Sequence, residues 1–125
     1  MHLLDTHILI WAMDRPDRLK PNIREILERS FEVYVSPLSI FEIKHKAKLG
    51  KLKLKEDPTV MARKTQFHFL PVEINHIEAA VSLPLHHRDP FDRLLMGQAL
   101  AERLTFITSD RMIMAYDRDV KLLQA

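Results

Sequence analysis

The sequence predicts an α/β domain with helices on both faces of a central parallel sheet. Three observations carry that expectation. Short apolar or β-branched runs alternate with longer segments whose apolar residues recur at helical spacing, the pattern of strand–helix–strand units. Two glycines against seven prolines are too few for the tight turns of an all-β protein. The 125 residues, 46% apolar and 29% charged, suit one globular domain over 1–125 with a real core.

His2-Leu3-Leu4-Asp5 is an apolar run ending in an acid, as a buried central strand does. Thr6 to Met13 follows as a helix with Ile8, Leu9, Trp11 and Ala12 on its apolar face. Pro21 to Ser30 places Ile23, Ile26 and Leu27 at helical spacing, with Pro21 suited to a first turn. Phe31 to Val35 is β-branched and aromatic, a second strand. Ser39 opens a helix that runs to about Leu49 and stops at Gly50. Asp57-Pro58 is a cap followed by proline, starting a helix to about Phe67. Phe69 to Val72 is a short strand whose Pro71 places it near an edge.

Asn75 caps a helix through about Leu83, and Pro84 to Arg88 is a loop. Pro90 to Arg103 has the strongest helical pattern, with Phe91, Leu94, Leu95, Gln98, Ala99 and Glu102 marking its turns. Leu104 to Thr108 is a strand, Asp110 to Tyr116 a short helix, and Val120 to Leu123 a last strand.

Several classes of function are disfavoured at once. There is no cysteine, hence no disulfide framework, thiolate zinc site or cysteine nucleophile. No apolar stretch nears the roughly 20 residues of a membrane span, and the opening residues lack a basic leader with a cleavage site. A cytoplasmic location without a membrane partner is expected. Net charge is only +2, from 19 basic and 17 acidic residues. The distribution is more telling: Lys44, Lys46, Lys48, Lys51, Lys53 and Lys55 follow one another with no acid between. Such a run is either a solvated helix face or a patch that attracts phosphates.

Four acids fall where a strand or loop gives way to a helix: Asp5, Glu42, Asp92 and Asp110. In a parallel sheet those ends open onto one crevice. Each acid also has a plainer explanation. Ser39-x-x-Glu42 matches a capping box, and Asp5, Asp89 and Asp110 are placed to cap the helices after them. Jointly the plain explanation weakens, because an ionised group at the end of a buried strand needs a partner. Two carboxylates at about 4 Å repel by roughly 4 kcal/mol at an effective dielectric near 20. A hard divalent cation, Mg²⁺ or Mn²⁺, removes that cost and implies chemistry on a phosphodiester. The seven histidines offer no common zinc spacing. His86 and His87 are expected in loop or substrate contacts, and His7 lies near enough to Asp5 to reach the same site.

Five stretches together resemble a known family. They are Leu3-Leu4-Asp5-Thr6-His7-Ile8-Leu9-Ile10-Trp11, Val35-Ser36-Pro37-Leu38-Ser39-Ile40-Phe41-Glu42-Ile43, Leu49-Gly50-Lys51-Leu52, Leu83-Pro84-Leu85-His86-His87-Arg88-Asp89-Pro90-Phe91-Asp92-Arg93-Leu94-Leu95 and Thr108-Ser109-Asp110. In order and content they resemble PIN domains, and more narrowly the VapC-type toxins of bacterial toxin–antitoxin pairs. The resemblance implies a three-layer α/β/α fold with a central parallel sheet. It also implies a metal-dependent ribonuclease acting as a toxin, a homodimer, and a cognate antitoxin that blocks the acidic crevice.

The family's four acids fall on Asp5, Glu42, Asp92 and Asp110, and its small hydroxyl falls on Thr108 or Ser109. Asp5 and Asp92 are then expected to hold Mg²⁺ or Mn²⁺, with Glu42 and Asp110 completing the site. Thr6, Ser39 and Thr108 offer hydroxyls to it. Arg93, Arg111 and the lysine run, Lys44 and Lys48 among them, are candidates for contacts to RNA phosphates. Two other readings compete: a non-catalytic module of the same fold that binds nucleic acid or protein, and a phosphoacceptor domain of receiver type. For the latter, Val72-Glu73 and Thr108-Ser109 are poor fits to the required aspartate and lysine.

Overall fold

A computed structural model describes residues 1–30 and 32–125. Five strands form one sheet in the order β3-β2-β1-β4-β5, and every pairing is parallel. They are β1 (His2–Leu4), β2 (Val33–Val35), β3 (His68–Phe69), β4 (Thr105–Thr108) and β5 (Leu122–Gln124). The helices are α1 (Thr6–Asp14), α2 (Pro21–Arg29), α3 (Pro37–Lys48), α4 (Pro58–Arg63), α5 (Ile74–Ser82) and α6 (Pro90–Glu102). Short 3-10 segments cover Pro16–Arg18 and Arg111–Tyr116.

Alternation along each strand builds two cores. Leu4, Val33, Val35 and Ile107 pack on one side with Ile8, Leu9, Ile23, Ile40, Ile43 and Ala62 of α1–α4. Leu3 and Phe106, one residue out of phase, pack on the other with Leu95, Met96 and Ala99 of α6 and with Ile113 and Tyr116. Successive side chains of a strand point to opposite faces, so a sheet buried on both sides needs apolar residues at consecutive positions. The expected three-layer α/β/α architecture is the one observed.

Element ends differ from expectation for local reasons. Phe31, expected to open the second strand, lies outside the described residues. α3 starts at Pro37, not Ser39, because Ser36 caps it by accepting from Leu38 N–H (3.2 Å). α4 stops at Arg63, short of Phe67. There the Thr65 hydroxyl donates to Ala62 O (2.6 Å) and accepts from Phe67 N–H (3.2 Å), competing with further helical turns. β3 lies at the sheet edge, as Pro71 implied, but covers His68–Phe69. α5 is capped at Glu73 rather than Asn75, its backbone N–H donating to Nδ1 of the buried His76 (3.0 Å). β5 starts after Val120, whose N–H is taken by Tyr116 O (2.9 Å).

One glycine sets the spacing of α5 against α6. A Cβ at Gly97 would stand 2.5 Å from His76 O and 2.7 Å from both Ala80 Cβ and Ala80 N. Two of those neighbours are backbone atoms and cannot rotate aside. Gly97→Ala is therefore expected to destabilise the fold by about 1–3 kcal/mol, despite alanine's better helix propensity. Urea unfolding followed by circular dichroism measures this; an unchanged midpoint would show that the helices part freely.

Candidate active site

In the order β3-β2-β1-β4-β5 the chain winds outward from β1 on one side and then resumes on the other with β4. The loops leaving β1 and β4 consequently diverge, and a crevice opens between them at the strands' carboxyl ends. Asp5 and Thr108 meet there.

Asp5 follows β1 directly and caps α1. Its Oδ1 accepts from Thr6 N–H (2.7 Å) and its Oδ2 from the Thr108 hydroxyl (2.6 Å), while its own N–H donates to Ile107 O (2.9 Å). Burial pushes the carboxyl above its ordinary pKa. The bonds from Thr108 and Thr6 and the charge of His7 oppose that rise; Glu42 adds to it. Asp5 thus both caps a helix and carries a carboxylate under electrostatic stress.

Glu42 does not form a capping box with Ser39. Because α3 begins at Pro37, Ser39 lies inside its first turn and is fully buried. Thr6 Oγ1 stands 3.0 Å from Ser39 Oγ and 2.9 Å from Glu42 Oε1. A hydroxyl has one proton, so Thr6 donating to the carboxylate leaves Ser39 to donate to Thr6. The other oxygen, Oε2, pairs with Lys46 Nζ at 2.8 Å one turn along the helix. Lys46 is held above its ordinary pKa, first by this bond; burial opposes, and the charges of Glu42, Asp92 and Asp89 reinforce it.

Asp92 occupies the first turn of α6. Asp89 is the cap, accepting from Phe91 N–H (2.9 Å) and more loosely from Asp92 N–H (3.4 Å). That leaves the Asp92 carboxylate free to face His87, with Oδ2 at 2.7 Å from Nε2. Asp110 caps the 3-10 segment by accepting from Met112 N–H (2.9 Å), and its own N–H donates to Thr108 Oγ1 (3.1 Å). One candidate ligand atom from each of His87, Asp92 and Asp110 lies within 4.8 Å of the others, a grouping one metal ion can bridge.

The four acids thus form a connected set. Thr6 joins Asp5 to Glu42, Thr108 joins Asp5 to the Asp110 backbone, and the charge of Asp5 is felt at Asp92. Thr6, Ser39 and Thr108 are buried; Thr6 and Thr108 hold carboxylates in place, and Ser39 supports Thr6. Lys44 pairs with Asp57 at 3.2 Å instead of facing the acids, and Lys48 is exposed on the last turn of α3. Arg93 is engaged elsewhere: its guanidinium donates to Ala80 O and Leu83 O (both 3.0 Å), Pro84 O (2.8 Å), His87 O (3.2 Å) and the Tyr116 hydroxyl (3.2 Å).

Two residues enter the site that spacing alone did not single out. His87 stands five residues before Asp92, across a loop whose path the sequence does not dictate. Lys46 was one lysine among six; its position four residues after Glu42, an i,i+4 pair on one helix face, was the available clue.

The state of Asp92 has a measurable consequence. Burial is the main cause that pushes its carboxyl up to about 6 from 3.8, with the charges of Asp5 and Asp89 adding and the His87 bond opposing. The folded protein then binds this proton more tightly than the unfolded chain does. The associated stability is fully present below the unfolded value and is lost as pH rises through about 6. At about 1.4 kcal/mol per tenfold change in proton affinity, the loss is on the order of 2–3 kcal/mol. In metal-free buffer, Asp92→Asn is expected to remove this segment of the stability–pH curve between pH 4 and about 7. Urea midpoints across that range test it, and parallel curves for the two proteins would refute it.

The PIN domain family model matches residues 2–119. Ribonuclease VapC22 of Mycobacterium tuberculosis is 26% identical over 117 residues, covering 91% of this chain and 90% of that protein. The DNA-bound VapBC of Salmonella typhimurium matches with a TM-score of 0.73 at 15% identity, over 98% of this chain and 96% of that one. VapBC2 of Rickettsia felis, bound to a fragment of promoter DNA, gives 0.69 at 17% identity over 99% and 96%. At these identities the structural likeness speaks for the fold. Among the described residues, no helix is long and apolar enough to cross a membrane.

Proposed function

The chain belongs to the PIN domain family, and from that premise we propose that it is a Mg²⁺- or Mn²⁺-dependent endoribonuclease. Its setting is a toxin–antitoxin pair in the cytoplasm, where it acts as a homodimeric toxin restrained by a cognate antitoxin. One observation supports the chemistry above others: four acids from four separate segments converge where β1 and β4 diverge, two of them desolvated enough to hold their protons abnormally tightly. The similarity to a ribonuclease supports RNA as substrate, and the toxin–antitoxin complexes of the same fold support the partner.

The donor set suits a hard divalent cation. Carboxylate oxygens predominate, and Lys46 pairs with Glu42 rather than with Asp5, Asp92 or Asp110. Asp5, Asp92 and Asp110 would hold the ion, with Glu42 completing the set; His87 adds a nitrogen compatible with Mn²⁺. When bound, such an ion polarises the scissile phosphate and lowers the pKa of an attacking water.

The protein's own groups prepare that step. Thr6 N–H and the Thr108 hydroxyl fix both oxygens of Asp5. His87 holds one oxygen of Asp92. Lys46 sets Glu42 and carries a positive charge that could attract a phosphate. Such outer contacts are commonly worth 10–100-fold in metal affinity or activity, roughly.

The direct test is cleavage of RNA by the purified protein. Chelator is expected to silence it and Mg²⁺ or Mn²⁺ to restore it. The same ions should raise the melting temperature, since a ligand at 100 times its Kd adds about 2.7 kcal/mol to stability. RNA left intact in Mg²⁺ and Mn²⁺ rejects the proposal and favours the non-catalytic binding module; RNA cut equally in chelator rejects the metal dependence.

A further inference from the structure

We propose that Phe41, stacked on His45 and leaning against Phe91, is a platform on which an unpaired nucleobase of the substrate stacks at the lip of the acidic crevice. The inference rests on the ribonuclease reading and adds to it a binding subsite with a defined chemistry.

Phe41 is 57% exposed, an unusual state for a phenylalanine on a helix that packs inward through Ile40 and Ile43. Its ring lies 5.9 Å from that of His45, one helical turn on, with the planes only 16° apart. Across the contact between α3 and α6 it meets Phe91, again at 5.9 Å and tilted by 33°. Packing against these two rings orients the Phe41 ring but leaves more than half the residue in water. The helix-to-helix contact explains the orientation and not the exposure.

Position supplies the second half of the argument. Phe41 and Phe91 directly precede Glu42 and Asp92, two of the four crevice acids. Phe41 meets Phe91 where α3 contacts α6, so the aromatic cluster lies between the two helices that carry those carboxylates, in the second turn of α3 and the first of α6. Lys46, on the same helix, contributes its charge on the crevice side. A strand of RNA offers what such a surface can take: phosphates for the cation and the metal site, and a flat face for the ring. Phenylalanine has no hydrogen-bonding group, so the contact would be tolerant of base identity. It would also require an unpaired nucleotide, since a base within a duplex has both faces stacked.

A protein occupant is better suited by a different surface. Ile74, Ile77, Val81 and Leu85 are exposed along α5 and the loop after it, and these apolar side chains are aliphatic, not aromatic. The aromatic cluster instead belongs to α3 and α6, the helices that carry Glu42 and Asp92.

The test measures affinity for a short single-stranded RNA in an Asp5→Asn background, so that cleavage does not intervene. Phe41→Ala and Phe41→Leu are each expected to weaken binding by about 5- to 100-fold, the range of one base–aromatic stack. Phe41→Trp should restore it. Leucine keeps the apolar bulk without the flat ring, so its loss separates stacking from simple burial. An abasic strand of the same length should bind the protein with Phe41 intact more weakly than the natural strand, and should lose little more on Phe41→Ala. Equal affinity for RNA before and after Phe41→Ala, or losses that simply multiply with the abasic strand, overturns the platform. If Phe41→Ala instead changes the sedimentation coefficient and leaves RNA binding intact, a second copy of the chain is the occupant and the platform is likewise rejected. A protein with Phe41 and Asp5 intact that cuts RNA while its Phe41 variants bind normally would sink the platform alone. Failure to bind or cut any RNA would sink the ribonuclease reading and the platform with it.

Discussion

Asp5→Asn is expected to lower RNA cleavage by about 100-fold or more while leaving the fold intact or slightly more stable. The size follows from the residue's place, since even partners one shell removed from a metal commonly cost 10–100-fold and Asp5 offers a carboxylate oxygen directly. The sign of the stability change follows from burial, which makes its ionised form unfavourable. The neutral amide avoids that penalty. Its oxygen can still accept from Thr6 N–H, and its nitrogen can donate to Thr108 Oγ1. Expression of the natural protein should arrest growth and expression of the variant should not. A variant that cleaves RNA at the natural rate would remove Asp5 from the catalytic set. A variant that fails to fold would contradict the desolvation argument, and thermal melting distinguishes the two.

The second large effect is one of stability. Arg93→Ala should cost about 3–5 kcal/mol, because charge-assisted hydrogen bonds contribute roughly 1.5–3 kcal/mol each and several are lost together. Its guanidinium gathers the carbonyls of Ala80, Leu83, Pro84 and His87. The Tyr116 hydroxyl completes the clamp by donating to Pro84 O (2.6 Å) and accepting from His87 N–H (2.8 Å). Only a planar fork can serve so many acceptors, so Arg93→Lys should recover little of the loss. Against a total stability of about 5–15 kcal/mol, either variant is expected to be marginal, with the 84–88 loop and His87 displaced first. A phosphate-binding role for Arg93 predicts the reverse: weakened RNA affinity and an unchanged urea midpoint.

How the site is assembled explains which parts were legible in advance. Leu3-Leu4-Asp5 and Phe106-Ile107-Thr108 are central strands because consecutive apolar residues only make sense in a sheet covered on both faces. The polar residues that end them must then face the same crevice. That logic reaches Asp5, Thr108 and Asp110 without coordinates. Ser39 was read as the start of α3, and Pro37, suited to a first helical position, was the feature that pointed to Ser36 instead. Once that is settled, Ser39 turns inward and Glu42 is released from capping duty. His87 and the clamp around Arg93 were not legible, because they depend on how a loop of unpatterned sequence folds back on Tyr116, a contact across almost 30 residues.

The bond between Asp5 and Thr108 spans 103 positions of the chain, and this has a bearing on biosynthesis. A polypeptide still emerging from the ribosome holds its first acid long before the partner that orients it has been made. The crevice is therefore complete only once β4 has been made and has docked beside β1, and a product terminated before Thr108 would lack the partner that orients its first acid.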